Sequence, residues 1–166
     1  MTNKTSLDFI FHLTRKPNKT RLKQGQEMIS ANDTVNPFVK AEITAYLKSL
    51  ARTHPKIREL KKKHPKTFFN KHQLCRVIIY VSSPDENRRG TPNWDPTVKP
   101  LIDGLVQAGI LSDDSDAIIK KFHFEVDKIG LAPQKRGRDG KPLRRYQFRI
   151  HLETLEKETD DNKTRL

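Results

Sequence analysis

Cysteine is almost absent: Cys75 stands alone among 166 residues. That excludes an internal disulfide and implies no thiolate-built metal site. Long apolar runs are missing as well. Near the N-terminus, Leu7, Phe9, Phe11 and Leu13 alternate with other residues over a stretch too short for a signal peptide or a membrane span. A reducing, cytoplasmic setting is therefore the expectation. Acidic residues are the minority charge, 20 Asp and Glu against 33 Lys and Arg, for a net charge of +13. Such a surface attracts polyanions, of which nucleic acid is the commonest. A membrane partner is not expected, because no amphipathic basic helix with exposed aromatics is evident.

At 34% hydrophobic residues the chain has material for one modest core. Residues 1–155 are expected to form a single domain, and residues 156–166 a polar, disordered tail. The period of two over 7–13 predicts a strand. The basic, weakly periodic stretch 15–33 reads as a loop. Asn36-Pro37 marks a helix start, with Asn36 as cap, followed by Val39, Ile43, Tyr46, Leu47 and Leu50 on one helical face. Residues 56–70 are charged, with room for a short helix. LCRVIIYV, residues 74–81, is the best candidate for a buried strand.

Asp95-Pro96 reads as a second cap and first helical residue, with Leu101, Ile102, Leu105 and Val106 as the apolar stripe and Gly109 as a terminator. Pro100 fits that helix poorly: either its first turn is irregular or it begins at Pro100. Ile118, Phe122, Phe124 and Val126 suggest a third strand, and Tyr146, Phe148, Ile150 and Leu152 a fourth. A basic loop, 127–145, lies between them, with a turn at Asp139-Gly140. The order strand, helix, strand, helix, strand, strand predicts an α+β domain. It would have a small mixed sheet of about four strands with two main helices on one face.

The acids cluster. Asp95, Lys99 and Asp103 are spaced by four and share a helix face, while Asp113, Asp114 and Asp116 crowd together just past the helix end. Carboxylates held that close are easier to keep beside a cation, and hard oxygen donors suit Mg²⁺, which accepts substrate phosphate as a further ligand. A lysine one turn away can stabilise charge on phosphate oxygens.

The run Asn93-Trp94-Asp95-Pro96-Thr97-Val98-Lys99, then Leu101-Ile102-Asp103-Gly104-Leu105, Ala108-Gly109-Ile110 and Asp113-Asp114, resembles the signature of the RusA family of Holliday junction resolvases. That family carries an acidic pair spaced x-D-x-D, a lysine four residues on, an L-x-D-x-L helix, then A-G and a double aspartate. In sequence the match covers this central segment; in layout it covers most of the domain. The resemblance implies a homodimeric, Mg²⁺-dependent endodeoxyribonuclease, with Mn²⁺ as an alternative ion, that resolves four-way DNA junctions. It implies Asp95, Lys99 and Asp114 as catalytic, Asn93, Asp95, Asp113 and Asp114 as the metal set, and Asp103 in support. Asn93 departs from the family pattern, which has aspartate there. An amide oxygen can ligate Mg²⁺ but brings no charge, so the alternative is a weakened or inactive relative that binds branched nucleic acid without cutting.

Taken singly, each residue has a plainer reading: Asp95 as a cap, Lys99 as a solvated lysine, Asp113-Asp114 as a polar turn. Trp94 reads as packing beneath the site. His12, His123 and His151 fall on the polar phase of three strands and read as solvated surface. Basic residues Arg88, Arg89, Lys135, Arg136, Arg138, Arg144 and Arg145 are the expected nucleic-acid contacts.

Overall fold

In the computed structural model, residues 4–16, 19–84, 92–127, 135–136, 138, 140 and 142–156 are described. Strand β1 (Ser6–Thr14) opens the chain. Helices α1 (Pro37–Arg52) and α2 (Pro55–Lys63) follow, then strand β2 (Cys75–Ser82) and helix α3 (Asp95–Gln107). Strand β3 (Ile119–Val126), short strands β4 (Lys135–Arg136) and β5 (Pro142–Leu143), and strand β6 (Arg145–Thr154) complete it.

Four strands form one mixed sheet in the order β1-β6-β2-β3; β6 is antiparallel to both its neighbours and β2 is parallel to β3. A parallel pair needs a crossover, which α3 supplies. The strand alternation sorts the two faces. Leu7, Phe9, Phe11 and Leu13 of β1, Val77, Ile79 and Val81 of β2, and Tyr146, Phe148, Ile150 and Leu152 of β6 are all buried. They share one core with Val39, Ile43 and Leu47 of α1 and Val98, Leu101 and Leu105 of α3. The chain is thus an α+β fold with helices on one face of a mixed sheet.

The other face is charged. His151 sits between Asp8 at 2.9 Å and Glu153 at 3.2 Å, and the Arg149 guanidinium lies 4.0 Å above the Tyr80 ring. His151 is therefore a hydrogen-bonded residue with 17% of its side chain exposed, not the solvated one its strand phase suggested. His123 pairs with Glu125 at 3.3 Å.

Asn36 caps α1 as expected, its side chain accepting from the Phe38 N–H at 2.9 Å. His54 caps α2: its Nδ1 accepts from the Lys56 N–H at 3.2 Å, which leaves Nε2 to donate to the Ile10 carbonyl at 3.2 Å. Half-buried beside the Phe9 and Phe11 rings, His54 has its pKa held below the usual imidazole value by that desolvation. Cys75 is fully buried in β2 and its thiol pKa is pushed up to about 12 by that burial, as befits a packing residue.

Two expectations are corrected. Asp95 is the first residue of α3, not its cap; Trp94, ending a 3-10 turn over Pro92–Trp94, holds the cap position because its bulk is drawn into the core. The segment 127–145 is not all loop, since β4 and β5 pair as a small antiparallel hairpin. Pro100 sits inside α3, which runs continuously from Asp95 to Gln107. Its missing N–H costs the Pro96 carbonyl a helical partner. Residues 157–166, Arg88 and Arg89 lie outside the described residues. Among the described residues no helix is long and apolar enough to cross a membrane.

Candidate functional site

Helix α3 carries the acidic motif, and each of its ends is placed by a different device. At the start, the Trp94 ring packs 5.0 Å from Tyr146 and 6.1 Å from Phe148, under the Arg15 guanidinium at 5.2 Å. Trp94 is thus a packing residue. The Asn93 carbonyl accepts from the Ala31 N–H at 2.7 Å. Thr97 is fully buried; its hydroxyl accepts from the Ile29 N–H at 2.8 Å and donates to the Ile29 carbonyl at 2.7 Å. These bonds fix the backbone, while the side chains of Asn93, Asp95 and Lys99 stay exposed.

At the far end, a Schellman turn reverses the chain. The Gly109 N–H donates to the Val106 carbonyl at 2.9 Å and the Ile110 N–H to the Leu105 carbonyl at 3.0 Å, with Gly109 at φ 78°. A left-handed residue is needed there, which is why glycine occupies it. The next residues are clamped by Phe69, whose N–H donates to the Ile110 carbonyl at 3.1 Å and whose carbonyl accepts from the Ser112 N–H at 2.9 Å. The chain is thereby folded back along α3, and the Asp114 carboxyl comes near enough to that of Asp103 to feel its charge.

Helix α1 completes this end. Gly104 lets the two helices touch: a β-carbon there would lie 2.4 Å from the Lys48 carbonyl and 2.7 Å from the Ala51 β-carbon. With the backbones this close, the Lys48 ammonium reaches the Asp103 carboxylate at 3.4 Å.

The two neighbouring aspartates are driven in opposite directions. Partial desolvation, then the hydrogen bond and charge of Asp103, hold the Asp114 pKa above the usual carboxylate value. Asp113 is held below it by the Ser115 side chain and by the Asp114 N–H, which donates to it at 2.9 Å. Asp113 therefore loses its proton more readily than Asp114.

The structure brings Asp103, Asp114 and Lys48 together. Asp95 lies eight residues before Asp103, about 12 Å along the helix axis. Among the described residues no three of His, Cys, Asp and Glu converge tightly enough to hold one metal ion. Of the expected nucleic-acid contacts, Arg138 is exposed and Arg144 half-buried. Arg145 is also half-buried, donating to the His12 carbonyl at 3.4 Å. Lys135 and Arg136 form β4.

Lys48 and Thr97 escaped the sequence reading. Lys48 looks like any exposed helix lysine; the available signal was Gly104, an otherwise costly glycine inside an apolar helix stripe, which marks a close helix crossing. Thr97 sits within the motif, but its partner, Ile29, is 68 residues away. Compared with known proteins, the chain matches no family model and no curated protein.

Proposed function

We propose that this chain is a metal-dependent endodeoxyribonuclease of RusA type that acts as a homodimer on four-way DNA junctions. The observation that carries the reading is the turn after α3, fixed by the Gly109, Ile110 and Phe69 backbone bonds, which brings Asp114 back beside Asp103 of the acidic motif. Carboxyls brought this close repel one another, and a bound cation relieves that repulsion. The net charge of +13 supports a nucleic-acid substrate.

The donor set fits Mg²⁺ or Mn²⁺ in chemistry: hard oxygens, and a like-charge contact that a cation would relieve. Mg²⁺ is commonly held by one or two carboxylates together with substrate phosphate. Asp113 and Asp114 would supply the first donors, with Asp103 beside them and Asp95 and Asn93 as the further ligands the motif implies. Once bound, such an ion supplies Lewis acidity and an activated water. Lys99, exposed on α3, is assigned to the substrate phosphate, and Lys48 holds Asp103 in place.

A second reading is binding without cutting. Asn93, with no charge where the family has aspartate, favours it. A labelled four-way junction and a linear duplex of the same sequence, each incubated with Mg²⁺, with Mn²⁺ and with chelator, separate the two. Paired, metal-dependent nicks confined to the junction are expected. Tight junction binding without nicks would transfer the conclusion to the second reading, and equal affinity for both substrates would overturn both.

A further inference from the structure

Strand β3 falls out of step with its neighbour at its start. Cys75 pairs with Ile119 but Arg76 with Lys121, so Lys120 is an extra residue, a β-bulge on an edge strand. Side chains alternate between faces in a regular strand, which would send Lys121 toward the core. Here Ile119 and Phe122, matched with Cys75 and Val77 of the buried face, enclose two residues on the charged face. The bulge thus sets Lys120 and Lys121 side by side, close to Arg76.

These three cations line an open hollow of about 560 Å³ with Lys4, Glu153 and Glu156. The acids there are already engaged: Arg76 pairs with Glu153 at 3.2 Å and Lys4 with Glu156 at 3.4 Å. Lys120 and Lys121 are exposed and have no ion-pair partner among the described residues, so the hollow keeps two uncompensated positive charges. Its place in the fold is informative. Lys120 follows Asp114 by six residues, a reach of at most about 20 Å when fully extended. A turn shortens it, the Ser115 carbonyl accepting from the Ile118 and Ile119 N–H groups at 3.0 and 2.9 Å. Before the acidic turn, the Lys61 ammonium donates to the Gly109 carbonyl at 3.2 Å. Lysines therefore stand on both sides of the aspartates along the chain. A DNA strand carries one charge per roughly 3.4 Å of helix axis, so a strand that meets Asp114 has several more phosphates within that reach.

We propose that the Lys120–Lys121 bulge holds successive backbone phosphates of a DNA strand, beside the part of that strand that reaches Asp114. Contacts of this kind position the substrate and carry no sequence information, so they serve junction and duplex alike. The inference rests on the nucleic-acid reading above, but not on cutting.

The test is fluorescence anisotropy in chelator, over a series of salt concentrations, with a labelled four-way junction and a labelled linear duplex. The double variant Lys120→Gln, Lys121→Gln is expected to bind both probes about tenfold more weakly at low salt, and to lower the slope of log affinity against log salt by about two. The control Lys23→Gln, Lys40→Gln removes the same charge from exposed positions elsewhere and is expected to change the slope little. An unchanged slope in the Lys120, Lys121 variant would overturn the proposal. So would an equal loss in both double variants, which would leave only an effect of net charge. Polyglutamate is the added competitor: displacing the duplex from wild type but not from the Lys120, Lys121 variant, at the same charge concentration as unlabelled duplex, it would assign the hollow to an acidic protein and overturn the assignment to DNA. Wild type that binds neither probe would instead defeat the nucleic-acid reading itself. Salt-sensitive binding that depends on the bulge, with no nicks when Mg²⁺ is restored, keeps this site and loses the nuclease.

Discussion

The start of α3 is tied to a loop by hydrogen bonds, through Thr97 to Ile29 and Asn93 to Ala31, and the side chains of Asn93, Asp95 and Lys99 are exposed. Its end is set by backbone packing and a Schellman turn, and there Asp103 pairs with Lys48 and lies near Asp114. One end offers a fixed backbone with open side chains, suited to receiving a substrate. The other gathers like charges beside one lysine, which is where the proposed cation would sit. The same helix serves both because its buried face, from Val98 to Leu105, is locked into the core between them.

Gly104→Val breaks the second end most severely. No β-carbon fits against the Lys48 carbonyl, so α1 and α3 must separate. The expected loss is about 3 kcal/mol or more, read by urea denaturation, and the Lys48–Asp103 pair goes with it. Thr97→Val breaks the first end. It strips the buried Ile29 N–H and carbonyl of their partner, for a loss of about 2 kcal/mol, with faster hydrogen exchange at Ile29 as its local signature.

Tyr46→Phe sharpens the account of the loop that holds the first end. The Tyr46 hydroxyl donates to Glu27 at 2.5 Å, and Glu27 also accepts from the Thr14 N–H at 2.8 Å. The loss is about 1 kcal/mol. Burial and Glu27 raise the Tyr46 pKa from 10.0 to about 12. A raised acid contributes its full stability below pH 10.0 and loses it as pH climbs through about 12, so the gap between wild type and Tyr46→Phe closes over that window. Thermal melts across that range check it.

Asp114→Asn has the smallest effect on stability, and of opposite sign. Because its folded pKa is raised, the carboxyl favours folding only below the ordinary carboxylate range and opposes it once ionised. The variant is expected to be more stable than wild type at pH 7 by a few tenths of a kcal/mol, with the gain vanishing as pH falls below the carboxylate range. Melting curves at both pH values decide it.

Much of the fold was legible because period and punctuation agree. The period-two strands β1 and β6, the Asn36 cap and the Gly109 terminator all stand where their chemistry predicts. Trp94 displaced Asp95 from the cap because core burial outweighs a cap bond. Phe122 is 41% exposed because β3 is an edge strand. For the candidate site, spacing made the acids visible but not their pairing. That Asp114 approaches Asp103 depends on a chain reversal, and that Lys48 does so depends on a helix crossing at Gly104, both tertiary events. The partnership of Thr97 with Ile29 was beyond any local pattern.

The central claim is that the aspartates after α3 cut a phosphodiester bond. Single-turnover cleavage of a labelled four-way junction with Mg²⁺, comparing wild type and Asp114→Asn with junction affinity measured alongside, tests it most directly. The account predicts a rate lower by about a thousandfold or more, the scale for removing an essential catalytic group, with affinity unchanged. Cleavage by Asp114→Asn at the wild-type rate would contradict it.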